Sequence, residues 1–374
     1  MNHRENAMAI LHYQPYDKLP VVSFGYWNET LTKWANEGHI TPEEAEGYQR
    51  YGDNSNADQQ IMKRLGFDFN WNACIGGEVM LMPPFETEIL ETFPDGSRIL
   101  RDSQGLICKD KPGTVSIPAE IGTSLTDRQA WETLYLPKLQ WNDARVDRAY
   151  LQSLPKAAER ETPLGLWAGS LMGNMRNILG VEHLSYLYAD DEELYKEIVD
   201  TLCGLCYQAT KAILETGAEF DYAHFWEDIC FKNGPLVSPS VFEEFVGPWY
   251  GKITALLREY GIDIVSVDCD GCIDALIPTW VNNGVNTMFP IEVGTWNASI
   301  APWRETYGRE LRGVGGMNKT VFARDKAAVD AEIERLKPLI ALGGYLPCPD
   351  HRIAPDAEFA LVQYYCDKMQ QLRI

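Results

Sequence analysis

Six short apolar runs, at 164–168, 220–225, 262–267, 285–289, 311–314 and 343–346, alternate with helical stretches, and this alternation restricts the fold more than any other feature. Strands buried on both faces read as continuous apolar segments, which is the pattern of a parallel sheet. Parallel neighbours also need crossover connections long enough for a helix. The stretches 190–216 and 238–260 supply such helices, the second opened by Ser238-Pro239 and closed by Gly261. Strand and helix in this rhythm predict an α/β protein. No Gly-rich dinucleotide fingerprint follows any run, so a (β/α)8 TIM barrel is preferred to a doubly wound sheet.

The first half of the chain reads differently. Residues 1–66 form an N-terminal helical segment, with Thr41-Pro42-Glu43-Glu44 giving an N-cap, a proline at the first helical position and a capping-box glutamate. A β-hairpin excursion is expected over 86–120, where an alternating strand reaches Pro94-Asp95-Gly96-Ser97, turns, and returns through Arg98-Ile99-Leu100-Arg101. Regular βα repeats occupy 160–374, and the whole of 1–374 is read as a single TIM-barrel domain.

Composition narrows the function classes. The 374 residues carry 33 Lys+Arg against 54 Asp+Glu, a net charge of −21, and no basic run is present to bind a phosphate backbone. The N-terminus has no apolar signal region, and no uncharged apolar stretch approaches the roughly 18 residues of a membrane span. Nine cysteines, an odd number in a large chain, argue against a secreted disulfide framework. The expected location is cytoplasmic, with reduced thiols.

Barrel chemistry sits at the C-terminal ends of strands, which converts the list of runs into a list of candidates. Past the runs come Glu227-Asp228, Asp268-Cys269-Asp270, Glu292, Asn318-Lys319 and Cys348-Pro349-Asp350-His351. Glu227 is expected to point into the mouth between Trp226 and Tyr222 as a general acid or metal ligand. His224 alone reads as a satisfied core histidine. At a strand end, Asp268 and Asp270 share one side and could hold one cation, whereas Cys269 faces away. Cys348 and His351 suit zinc or another borderline metal. The catalytic candidates are therefore Glu227, Asp268 and His351, and the metal candidates Asp268, Asp270, Cys348 and His351. Trp167, Tyr222, Trp226 and Tyr345 are expected to wall a flat apolar substrate. The CxxC at Cys269/Cys272 has no second such pair nearby to complete a zinc knuckle, and Cys203/Cys206, with the same spacing inside an expected helix, reads as packing.

Several stretches resemble the uroporphyrinogen decarboxylase superfamily: 4–11 through 16–22, Gly180-Val181-Glu182-His183-Leu184, Leu236-Val237-Ser238-Pro239, and His351-Arg352-Ile353-Ala354-Pro355-Asp356. The resemblance implies a TIM barrel. It also implies one of two chemistries, the decarboxylase itself or the corrinoid-dependent methyltransferases. The arginine-bearing N-terminal motif that binds a carboxylate-rich tetrapyrrole is absent, its place taken by Phe24-Gly25-Tyr26-Trp27-Asn28-Glu29. In the methyltransferase branch zinc is held by a His-x-Cys pair and a later Cys. Those positions fall here on Asp268, Asp270 and Cys348, which is more similar to the branch that demethylates methoxylated compounds. The resemblance thus implies methyl transfer from a methoxylated, aromatic small molecule to the corrinoid of a partner cobalamin-binding protein, with zinc as the cofactor and a homodimer as the assembly. The alternative it leaves is a metal-free decarboxylase or lyase acting on a small molecule.

Overall fold

The structure, a computed structural model, describes residues 1–112 and 118–372. Seven parallel strands form the central sheet, in the order Tyr345–Pro349, Arg312–Met317, Thr287–Phe289, Val265–Asp268, Tyr222–Trp226, Gly165–Gly169 and Cys74–Gly76. The ring is completed by Val22–Ser23, which lies against Tyr345–Pro349 and pairs in parallel with Phe69–Asn70. Phe69–Asn70 and Cys74–Gly76 are two pieces of one strand position, interrupted at Trp71. All six apolar runs lie on barrel strands, and the fold is a (β/α)8 TIM barrel.

The lumen is filled by large side chains, as a barrel of this size requires. Trp71 stacks on Tyr222 with ring centroids 3.9 Å apart, and its indole N–H donates to Ser266 Oγ at 3.3 Å. His224 joins this layer through Nδ1 to Ser266 Oγ at 2.6 Å, and burial lowers its pKa to about 3, so the ring is neutral. Gly315 is where the wall closes most tightly: it has φ +125°, and a side chain there would strike the Pro290 carbonyl.

Helix His3–Leu11 closes the N-terminal end of the barrel. Its Arg4 reaches Asp221 at 2.7 Å, and Arg160 reaches the other oxygen of the same carboxylate at 3.0 Å. Helices Asn28–Asn36, Pro42–Tyr51 and Asn56–Leu65 follow, and the Thr41–Glu44 capping box forms as the sequence predicts. The excursion is a four-stranded antiparallel meander, Glu88–Thr92, Arg98–Arg101, Leu106–Asp110 and Ala119–Thr123, that packs against helix Gly173–Asp190. The hairpin expected around residues 94–97 is its first turn. Among the described residues, no helix is long and apolar enough to cross a membrane.

Candidate active site

At the C-terminal end, the loop after Tyr345–Pro349 is fixed from several sides. Asp350 accepts from the backbone N–H groups of Val293, Gly294 and Lys319 at 2.8–3.0 Å. The Lys319 ammonium donates to the Arg352 carbonyl at 2.9 Å. Arg352 grips Asp53 with both terminal nitrogens, at 3.1 and 2.5 Å, and donates to the Tyr48 hydroxyl at 2.7 Å. This cluster lies against the backbone of Gly25, which has φ +85°; a Cβ there would sit 2.5 Å from both Arg352 Nη1 and the Tyr48 oxygen. Ile353 exchanges backbone hydrogen bonds with Gly25 and Trp27. The loop that carries His351 is thereby held to the N-terminal helical segment.

His351 itself is left for the mouth. Its Nε2 lies 3.0 Å from Asp270 Oδ2, Trp27 stacks on it at 5.5 Å with an 18° tilt, and Phe24 lies 5.5 Å away. Next to this pair, Asp268 ends its strand only 4% exposed, and its carboxyl has no hydrogen bond from any described residue. Burial first, then the neighbouring Asp270 and Asp228, push its pKa well above the ordinary carboxylate range. This direction favours the protonated form of the Asp268 carboxyl, which stands at the C-terminal end of its strand. Burial also raises Asp228 and Glu292, each with Asp270 as a further cause. Arg176 answers Asp228 at 3.0 Å and lies over the Trp226 ring at 5.4 Å.

The structure corrects four sequence expectations. Glu227 does not face the mouth. It is fully buried and accepts from the backbone N–H groups of Leu171, Met172 and Gly173, from Ser170 Oγ, and from the Tyr250 hydroxyl. Its carboxyl caps the start of helix Gly173–Asp190; burial raises its pKa, and the converging N–H groups and the Tyr250 hydroxyl oppose that rise. Tyr222 and Tyr345 do not wall a substrate, since both are buried, their hydroxyls donating to the carbonyls of Trp71 and Gly315. Cys348 is fully buried within its strand, and burial pushes its thiol far from the thiolate a metal needs. Trp226 is half-buried at the end of its strand, and Trp167 is half-buried in mid-strand with its ring 6.0 Å from that of His224.

A zinc ion can be tested against this arrangement. His351 Nε2 is spent on Asp270, Cys348 is withdrawn, and no group of three or more His, Cys, Asp or Glu among the described residues is placed to hold a metal. The residues present do not fit the zinc centre implied by the resemblance. Three contributors escaped the sequence reading: Trp27, Asp53 and Arg352. Arg352 adjoins a named candidate, but Asp53 is 299 residues away, a distance no spacing argument spans.

Fold and site together define a TIM-barrel protein with a cluster of acids at the C-terminal ends of its strands. Residues 118–372 match the family described as Uroporphyrinogen decarboxylase (URO-D), and the chain belongs to that family. A comparison with curated proteins gives no match. Among solved structures, a methyltransferase from Methanosarcina mazei is 15% identical, covers 99% of each chain and has a TM-score of 0.63, which shows the shared fold. A B12-independent methionine synthase from Shewanella sp. W3-18-1 is 10% identical over 95% of this chain and 98% of its own, with a TM-score of 0.49. A putative vitamin-B12 independent methionine synthase from Listeria monocytogenes is 15% identical over 60% and 68%, with a TM-score of 0.36.

Proposed function

We propose that the protein is a methyltransferase that moves a methyl group from a methoxylated, aromatic small molecule to the corrinoid of a partner cobalamin-binding protein. The observation that carries this reading is Asp268, a buried carboxyl at the end of a barrel strand with no hydrogen bond from any described residue, where burial and the nearby Asp270 and Asp228 raise its pKa. Family membership supports it, as does the fold shared with the Methanosarcina methyltransferase. The mouth arginines count against a polycarboxylate substrate, because Arg176 is taken by Asp228 and Arg352 by Asp53.

The chemistry follows from the leaving group. When a methyl group departs from an aryl ether, the oxygen keeps the bonding pair and becomes a phenolate, whose conjugate acid has a pKa of about 10. The acceptor supplies the nucleophile, a reduced cobalt. The chain supplies the proton: Asp268 donates it to the ether oxygen as the bond breaks, so that a neutral phenol leaves. General acid catalysis of this kind contributes about 10²–10⁴-fold. Trp27, Trp167 and Trp226, each half-buried, offer aromatic faces to the ring. Asp270 and His351, both more exposed than Asp268, return the proton after turnover.

The test is transfer of a ¹³C-labelled methyl group from methoxyarenes to reduced cobalamin, followed by NMR in wild type and in Asp268→Asn. The expected result is transfer by wild type and a loss of about 10²–10⁴-fold in the variant. Carbon dioxide release from carboxylated arenes without methyl transfer would replace this reading with that of a lyase.

A further inference from the structure

A second cluster of charge lies at the other end of the barrel from Asp268, around Tyr13. This residue follows helix His3–Leu11 and takes φ +58°. Its ring packs on Gly343-Gly344, where a Cβ on Gly344 would come within 2.4 Å of it, and its hydroxyl donates to the carbonyls of Arg309 and Leu311 at 3.1 and 3.3 Å. Three guanidinium groups surround this fixed ring. Arg304 and Arg309 lie 5.0 Å from its centroid and Arg312 lies 5.5 Å away, so no two of them are separated by more than about twice that distance. Arg304 donates to the carbonyls of Gly343 and Leu342, and Arg312 to those of Leu11 and Glu310. Arg309 is exposed, and its side chain makes no hydrogen bond among the described residues. Each guanidinium has five N–H groups, so donors are left over on all three. None of the three forms an ion pair among the described residues; Asp263, whose charge reaches Arg312, is paired with His12 at 2.9 Å. Burial lowers the pKa of Arg304, and the charges of Arg309 and Arg312 add to that fall. The cations repel one another where they stand, and an anion seated among them removes that cost.

From this geometry we propose that the N-terminal face of the barrel binds an oligophosphate, free or carried on a nucleotide, through Arg304, Arg309 and Arg312. The site lies apart from the mouth and does not depend on the methyl-transfer reading. Guanidinium groups present paired N–H donors that match phosphate oxygens. Charge density decides for phosphate over an acidic peptide. An oligophosphate carries charge on every successive phosphate, so several charges fall within the span of the three arginines. Along an extended peptide, carboxylates on one side recur only every roughly 6–7 Å. The net charge of −21 does not prevent binding, because salt screens distant charges beyond about 8 Å at physiological ionic strength. The local cations then decide what the face attracts.

The experiment is calorimetric titration of the wild-type protein, at physiological ionic strength and without divalent cations, with sodium tripolyphosphate, ATP, orthophosphate and hexaglutamate. Tripolyphosphate is expected to bind at least about tenfold more tightly than orthophosphate or hexaglutamate. ATP binding as tightly as tripolyphosphate assigns recognition to the phosphate chain alone, tighter binding assigns the nucleotide, and weaker binding the free anion. Arg309→Ala removes an exposed side chain that no hydrogen bond ties to the fold, and it should weaken tripolyphosphate binding about tenfold. Arg309→Glu should abolish it. Arg324→Ala deletes the same charge from an exposed position beyond the C-terminal end of strand Arg312–Met317 and should leave binding intact, which separates a local contact from the overall charge of the chain. No binding of tripolyphosphate, equal losses in Arg309→Ala and Arg324→Ala, or hexaglutamate as the tightest ligand would overturn the proposal.

Discussion

Asp221 and Asp268 are buried at opposite ends of neighbouring, paired barrel strands, and only the first has a partner for its charge. Asp221 receives Arg4, Arg160 and the Leu164 N–H. Asp268 has no hydrogen bond from any described residue, and burial with the nearby Asp270 and Asp228 outweighs the Arg352 charge that acts on it. The paired carboxylate staples the closing helix to the barrel. The unpaired one is costly to ionise where it sits, which is the condition under which a carboxylic acid keeps its proton near neutral pH. Stability has been optimised at one end, and the other retains an arrangement that stability alone would remove.

Breaking the paired end should have the largest effect on folding. Asp221→Ala strands two guanidinium groups, one of them deeply buried, and is expected to cost about 3–5 kcal/mol in urea unfolding. Glu227→Ala comes next: the backbone N–H groups of Leu171, Met172 and Gly173, leading into the helix, lose their acceptor, with an expected cost of about 3 kcal/mol in the same measurement. Methyl transfer should survive it at temperatures where the variant is folded.

Asp268→Asn should act in the opposite direction. The folded-state pKa of Asp268 lies above its ordinary value of 3.8, so as pH rises the unfolded chain ionises first and the wild type loses stability until the folded pKa is passed. The asparagine variant escapes that loss. It should match wild type below about pH 4 and be more stable by about 1–3 kcal/mol at pH 7, as read from thermal or urea unfolding across pH. The smallest effect sharpens the comparison within the mouth: Arg352→Lys keeps the charge but loses the two-pronged grip on Asp53, and about 1 kcal/mol of stability should go with it.

Much of this architecture was legible in the sequence, for physical reasons that also mark where legibility ends. The runs at 262–267 and 343–346 announce strands because a parallel sheet buries both faces, and Pro94-Asp95-Gly96-Ser97 announces a turn through local chemistry. Val22–Ser23 is too short to show any period. The site followed the same rule. Asp268 lies within its strand, where alternation fixes direction, and its side chain stands in the mouth. Glu227 lies just beyond strand Tyr222–Trp226, and the next residue, Asp228, has φ +47°, so alternation no longer governs where the side chain goes. Contacts such as Arg352 with Asp53 join distant parts of the chain and leave no local signature.

The central claim, a neutral Asp268 in the mouth of the folded protein, can be read directly by infrared difference spectroscopy of wild type against Asp268→Asn at pH 7, with ¹³C-labelled aspartate to mark the band. The account predicts an isotope-sensitive protonated-carboxyl band in wild type that is missing from the variant. A difference spectrum showing only the loss of an ionised carboxylate would contradict it.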